Sequence, residues 1–335
     1  MTELMNALIT TSDKDAPFSL SKIPMPEVFD QDVLVEVQAV SVNPVDTKQR
    51  TVAVANGSTK VLGYDAVGTI SAIGSKVTKF KVGDKIMYAG ELGRTGSNAQ
   101  FEAVHENLAA LAPEGFQNAQ LAGVPLTFLT AYELLVDKFG LIPDKNANDG
   151  QTILIINGAG GVGSSMIQLA KWMGLKVIAT ASRPETKKWV LQLGATHVVN
   201  HREDYVQAIH ELGYEALPYI AILHDPNQHF EQAAELISAF GHIGSIVENQ
   251  QPLPMNLIKN KAASFDWEFM FAKANYQFDT ASQGAALALA ARLIENGEYL
   301  IPVTQTLHGM TAETLLEGHH IIEANNFIGK LTIEY

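Results

Sequence analysis

The run Asn157-Gly158-Ala159-Gly160-Gly161-Val162-Gly163 constrains this chain more than any other segment, because of what flanks it. It follows directly on Thr152 to Ile156, an unbroken apolar strand. It opens a stretch in which Met166, Leu169, Ala170 and Met173 recur at spacings of three and four, the mark of a helix with one buried face. Gly158, Gly160 and Gly163 thus form G-x-G-x-x-G between a strand and a helix. In that setting the glycines permit a tight turn, close approach of a pyrophosphate and close helix-sheet packing. The helix start at Gly161 and Val162 offers N–H groups and a positive dipole end. A glycine-rich turn without a ligand is the plainer alternative.

The segments after this loop repeat the alternation. Lys176 to Thr180 reads as a strand, Pro184 to Leu193 as a helix, and His197 to Val199 and Ile220 to His224 as strands. Asn227 to Phe240 reads as a helix and His242 to Val247 as a strand. Strands that are apolar throughout and alternate with helices predict a doubly wound parallel sheet, an α/β fold. The first third differs. Val33, Val35 and Val37 alternate with Leu34, Glu36 and Gln38, and short strand-like runs recur at Thr69 to Ile73 and Lys85 to Tyr88 with glycines between them. That pattern predicts a small barrel or sandwich. Leu121 to Val136 reads as helical, Thr280 to Asn296 as a long helix and Lys330 to Glu334 as a closing strand. A chain of 335 residues suggests two domains.

Composition removes several function classes. With no cysteine, the chain forms no disulfide, thiolate-ligated zinc, iron-sulfur site or cysteine nucleophile. Its 23 basic against 36 acidic residues, a net charge of -13, argue against a nucleic-acid partner, whose footprint is a basic stripe. No apolar run approaches the ~18 residues of a membrane span, and residues 1 to 15 lack a basic region followed by an apolar stretch. A soluble, cytoplasmic protein without a membrane partner is the expectation.

The end of the second strand of the α/β region bears on cofactor choice. An NAD site usually places Asp or Glu there for the ribose 2′-OH, whereas this chain has Ala181, Ser182 and Arg183, with Lys187 and Lys188 one turn later. Ser182, Arg183 and Lys187 would hold a 2′-phosphate by charge-assisted bonds, so NADPH is expected over NADH. Ser182-x-x-Glu185 with Pro184 also has the form of a capping box, and one hydroxyl could serve both ends.

Several segments together resemble the medium-chain dehydrogenases and reductases, in particular their quinone oxidoreductase-like branch. They are Ser41 to Lys48, Val61 to Gly68, Val82 to Lys85, Leu126 to Leu135, the glycine loop and Val177 to Ser182. Asp266 to Phe271 and the Gly329-Lys330 ending are similar to a subgroup called zinc-type alcohol dehydrogenase-like. The resemblance implies a GroES-like β-rich catalytic domain from residues 1–125 and 273–335, enclosing a Rossmann NADPH-binding domain of residues 126–272. The active site would lie in the cleft between them, and the assembly would be a homodimer. Zinc-dependent members carry a Cys where this chain has Asn43, a His where it has Tyr64 and a Cys about where it has Leu126, so no metal is expected.

Without a Lewis acid the expected reaction is hydride transfer from NADPH to an activated small molecule, a quinone or the C=C bond of an α,β-unsaturated carbonyl. Asn43 and Tyr64 are the candidates to stabilise the developing oxyanion, Tyr64 also as a proton donor, with space-filling as its alternative. By resemblance Thr127 and Thr130 lie near the nicotinamide, or else cap a helix. His201 lies against the adenosine phosphate, or is a surface histidine. Phe269 and Phe271 are expected to alternate on a strand beside the nicotinamide, or to be core. His224, Asp225, His229, His319 and His320 read as surface or capping residues rather than metal ligands. The competing functions are a true alcohol dehydrogenase and a non-catalytic NADPH-binding sensor or structural protein.

Overall fold

The computed structural model describes residues 3–335. The chain divides into two compact units, one formed by residues 3–126 with Phe271–Tyr335 and the other by Thr127–Met270.

The second unit is built on a six-stranded sheet. Its spatial order is His197–Val199, Lys176–Thr180, Thr152–Ile156, Leu217–Ile222, Ile237–Ser245 and Ser264–Trp267. Every pairing is parallel. The first strand in sequence therefore lies in the middle, with later strands laid outward on both sides. The order reverses beside the carboxyl end of Thr152–Ile156, where ligands of such sheets bind. Ile153, Leu154, Ile155 and Ile156 are all 0% exposed because helices cover both faces. Each such side chain contributes roughly 1.5–3 kcal/mol by burial before entropy is counted.

Two elements of this unit differ from the sequence expectation. The helix expected to reach Phe240 spans Pro226–Leu236, and Ile237–Ser245 is already strand. The helix stops early because Lys261, 24 to 27 residues downstream, donates from Nζ to the carbonyls of Ala234, Glu235 and Ile237 at 2.7–2.9 Å. A long-range cap of this kind has no local signature. The last strand ends at Trp267, so Phe269 and Phe271 do not alternate on it. Phe269 is half exposed, while Phe271 opens the short helix Phe271–Asn275 and belongs to the other unit.

The first unit is β-rich. Its seven-stranded sheet runs Val303–His308, Lys330–Glu334, Asp32–Val42, Ala66–Ile73, Lys85–Tyr88 and Ala109–Leu111, with Phe101–His105 also paired to Asp32–Val42. A separate hairpin joins Leu4–Thr10 to Phe18–Pro24. Register decides which polar side chains meet in this sheet. Leu331 pairs with Val42, and Val40 pairs with Ala66, so Lys330, Asn43 and Tyr64-Asp65 are brought to one end of three neighbouring strands.

The apolar run expected as a single helix is broken into Asn118–Ala122, Pro125–Glu133 and a π-helical turn, Leu134–Lys138. Pro125 cannot donate to the preceding turn and so starts a new helix. The run also corrects the hydropathy reading. Asn118–Lys138 is long and apolar enough to cross a membrane by length and composition, with 83% of its window buried inside the fold. Small and weakly polar residues interrupt it, so it does not stand out as an apolar run.

Candidate functional site

In the α/β unit the glycine loop leaves the central strand through Asn157, whose φ of 67° is left-handed. Asn tolerates that conformation better than most residues. The turn is fixed by Thr180 on the adjacent strand, whose Oγ1 accepts from Asn157 N–H at 2.9 Å and whose carbonyl accepts from Gly158 N–H at 3.2 Å. The three motif glycines are glycines for different reasons. A Cβ on Gly158 would press on Ala179, Ile167 and Val190 at 3.1–3.3 Å, and one on Gly163 would lie 2.5 Å from the Gly158 carbonyl oxygen. Packing excludes a side chain at 163 and crowds one at 158. At Gly160 nothing in the protein does: the nearest atom to a Cβ there is Asn157 Nδ2 at 3.9 Å, and φ of -74° with ψ of -179° suits any residue. The fold does not need glycine at 160. The space before it fits a group that comes from outside, and the helix Gly161–Trp172, with Ser164 N–H bonded back to Gly160 O at 2.8 Å, turns its N-terminus toward it.

Of the other residues singled out in this unit, Ser182 and Arg183 follow the strand Lys176–Thr180 and His201 follows the neighbouring strand His197–Val199. His201 Nδ1 lies 3.1 Å from Thr180 Oγ1, so it braces the hydroxyl that fixes the turn. Burial holds the His201 imidazole below its ordinary value, helped by Arg202 and His224, which keeps it neutral. Thr127 and Thr130 are buried inside the helix Pro125–Glu133 rather than at its cap, and Ser165 Oγ donates to Thr127 Oγ1 at 3.2 Å. The capping box at Ser182 does not form. The cap of Pro184–Leu193 is Arg183, whose N–H donates to Thr186 Oγ1 at 3.1 Å while that hydroxyl donates to Arg183 O at 2.9 Å. Thr186 closes the first turn one position later, which leaves Ser182 to other uses. Arg183 Nε also pairs with Glu185 at 2.9 Å, while Lys187 is exposed.

In the β-rich unit the strand register assembles a buried polar cluster around Asn43, Asp46, Tyr64, Asp65 and Lys330, each 3% exposed or less. Asp65 Oδ1 accepts from the Leu126 N–H at 3.1 Å. Its Oδ2 accepts from Lys330 Nζ at 3.0 Å and from Asn43 Nδ2 at 3.3 Å. Burial pushes the Asp65 carboxyl up, and Lys330 with the other donors opposes it. All three hydrogen-bond partners of its side chain are donors and one is an ammonium, an arrangement that suits a carboxylate. Asn43 Oδ1 accepts from Lys330, and Asn43 Nδ2 donates also to Ser41 O at 3.3 Å. The amide is therefore saturated, and Asn43 is not available to donate to a substrate oxygen, contrary to expectation. Asp46 accepts from the Asn43 N–H at 2.8 Å, and burial pushes its carboxyl up to about 7.

Tyr64 packs edge-on against Phe271 with ring centroids 5.4 Å apart. Burial raises its phenol above its ordinary value, and the charges of Asp46 and Glu102 add to this. It therefore stays protonated throughout the neutral range, which makes it a hydrogen-bond donor and a weak acid.

Residues 30–125 match the family described as the alcohol dehydrogenase GroES-like domain, and residues 161–266 match the zinc-binding dehydrogenase family. A zinc-type alcohol dehydrogenase-like protein of Staphylococcus epidermidis is 41% identical over 310 residues, 92% of each chain. The chain belongs to the medium-chain dehydrogenase/reductase superfamily. A solved Rhizobium etli structure, described with the zinc-dependent alcohol dehydrogenases, superposes with a TM-score of 0.94 at 35% identity, covering 100% of this chain and 99% of that one. An NADPH-dependent alkenal/one oxidoreductase of Arabidopsis thaliana is 38% identical over 199 residues, 56% of this chain and 49% of its own. This member of the superfamily is an oxidoreductase with an NAD(P)-binding α/β unit and a GroES-like unit. The open cradle at Gly160 is the feature of its own structure that fits a nicotinamide dinucleotide.

A catalytic zinc does not fit. The positions where zinc-dependent relatives place ligands hold an amide, a phenol and an aliphatic side chain, and the amide oxygen is already bonded to a buried ammonium that would repel a divalent cation. Among the described residues no group of three His, Asp or Glu side chains is arranged to hold a metal. His229 and His319 are not surface residues. They are 3% and 0% exposed, and burial holds them down to about 4 and about 3. Sequence reading missed Asp46, Asp65 and Lys330 as site residues. The available signal was a lysine that opens the closing strand ahead of the apolar Leu331 and Ile333 and must find an acid if it is buried.

Proposed function

We propose that this oxidoreductase is a zinc-independent, NADPH-dependent reductase of quinones or of the C=C bond of α,β-unsaturated carbonyls. The observation that carries the reading is the Lys330–Asn43 bond, which takes the place of a Lewis acid with a fixed ammonium. Without a metal to polarise a simple ketone, the acceptor must already be activated. The 38% identity to an NADPH-dependent alkenal/one oxidoreductase supports the same class. When bound, NADPH supplies the hydride. The chain holds its pyrophosphate at Gly158 to Gly163 and its 2′-phosphate at Ser182, Arg183 and Lys187. Thr127, Thr130, His201 and Phe269 contribute to the remainder of the cofactor site. Tyr64 donates a hydrogen bond to the acceptor oxygen as negative charge develops there. Phe271 orients that ring rather than touching the cofactor. By family resemblance the working assembly is a homodimer, which light scattering reads directly.

Steady-state oxidation of NADPH against a panel of quinones, enones and simple ketones tests the reading. Turnover on the activated acceptors is expected, with none on the ketones. Zinc-dependent turnover of alcohols would overturn it in favour of an alcohol dehydrogenase, and tight NADPH binding without turnover on any acceptor in favour of a sensor. Tyr64→Phe is expected to lower kcat by about 10²-fold, the scale of one lost oxyanion donor, with KM for NADPH unchanged. Full activity toward every acceptor would remove Tyr64 from the mechanism.

Glu185 competes with the cofactor for Arg183. Glu185→Gln is expected to tighten NADPH by about 2- to 3-fold, the modest scale of an exposed pair, and to leave NADH unchanged. Equal changes for both cofactors, measured by fluorescence titration, would move the 2′-phosphate away from Arg183.

A further inference from the structure

We infer that Lys330 is a positioning residue of the reductase site: its buried ammonium clamps Asn43 and Asp65 and, through Asp65, sets Tyr64. The inference rests on Tyr64 acting as the donor to the acceptor oxygen. Three segments far apart in the sequence meet at this one cation. Lys330 Nζ donates to Asn43 at the start of the helix Pro44–Ala55 and to Asp65 Oδ2 at 3.0 Å. Asp65 Oδ1 holds the Leu126 N–H at 3.1 Å. Asn43, the Tyr64-Asp65 pair and Leu126 are the places where zinc-dependent relatives carry their ligands, so the Lys330–Asp65 pair ties together the segments that a metal would otherwise clamp.

Stability alone does not account for the pair. Lys330 is 3% exposed and Asp65 0%, so both lose their hydration, and a buried pair of this kind is often no more stable than apolar side chains of similar volume. The strand itself makes no demand for a cation, because the next residue on the same face, Thr332, is uncharged and equally buried. What an apolar replacement would lose is direction. Asp65 adjoins Tyr64 in the chain, and its carboxylate is held by three donors from three segments, which fixes the backbone from which the phenol projects.

The test separates charge balance from positioning. Lys330→Met alone leaves a buried carboxylate unpaired and is expected to lower Tm by roughly 10 °C. Lys330→Met with Asp65→Asn removes both charges and is expected to return Tm to within a few degrees of wild type. This folded double variant is expected to lose about 30-fold in kcat with KM for NADPH unchanged, and adding Tyr64→Phe should then cost only about 3-fold further, against about 10²-fold in wild type. A double variant with wild-type kcat would overturn the inference. So would a Tyr64→Phe cost that is as large in the double variant as in wild type, because Lys330 would then act independently of Tyr64. Failure of the underlying reading has its own signature, a Tyr64→Phe single variant at full rate.

Discussion

Gly160→Val is expected to abolish useful NADPH binding while leaving the fold intact. Two observations set the expectation. A Cβ at 160 meets no protein atom closer than 3.9 Å, and the local φ and ψ are ordinary for any residue, so neither contact at the Cβ nor backbone strain opposes a side chain there. The only occupant it could displace is one brought by the cofactor, at the point where the helix N-terminus faces the pyrophosphate. Tm should stay within a few degrees of wild type, and the NADPH dissociation constant should rise by at least about 10²-fold, a loss of about 2.8 kcal/mol. Gly163→Val is the contrast: its Cβ would sit 2.5 Å from the Gly158 carbonyl oxygen, so it should lose stability and binding together. Thermal denaturation and fluorescence titration of both variants decide the matter. Unchanged NADPH affinity in Gly160→Val would show that the cradle is not the pyrophosphate site.

The second large effect is a loss of stability on the alkaline side of neutrality. Burial pushes the carboxyl of Asp46 up to about 7 and that of Glu102 up to about 8, from ordinary values of 3.8 and 4.5. The folded protein therefore keeps protons that the unfolded chain has released, and its stability falls as pH rises through the window between these values. His229 and His319 act in the opposite sense. Burial lowers them from 6.5 to about 4 and about 3, so they cost stability as pH falls below 6.5. Between about 4.5 and 6.5 the two effects offset each other, and above 6.5 only the carboxyls act. Roughly two pH units of combined shift remain there, about 3 kcal/mol at about 1.36 kcal/mol per unit. Tm is expected to drop by roughly 10 °C between pH 6.5 and 8.5. Asp46→Asn and Glu102→Gln should each flatten the slope, and a Tm that holds level or rises over this interval would contradict the account.

Much of the architecture was legible because its signals are local. The strand Thr152–Ile156, the strand Lys176–Thr180 and the helix Pro184–Leu193 fall where apolar runs and their punctuation place them. Local patterns misled at three other places. The helix after Pro226 ends early because Lys261 reaches back to its carbonyls. The cap at Arg183 belongs to Thr186 because the chain turns one residue later than the Ser-x-x-Glu spacing suggests. Phe271 reads like Phe269 in the sequence, but it is buried against Tyr64 in the other unit.

The sequence by itself determined the parallel α/β unit, the glycine loop at its first strand end and the missing thiolate ligands, since each is a property of residue type at short spacing. The tertiary structure alone decided which polar groups are spent on one another. Asn43 reads as an available amide until the pairing of Lys330–Glu334 with Asp32–Val42 puts an ammonium on its oxygen. Glycine at 160 is one of three equivalent motif positions until the packing around the other two shows that only this one faces open space. Residues 43 and 330 are 287 apart in the chain. A bond over that separation depends on sheet register, and no local pattern encodes it.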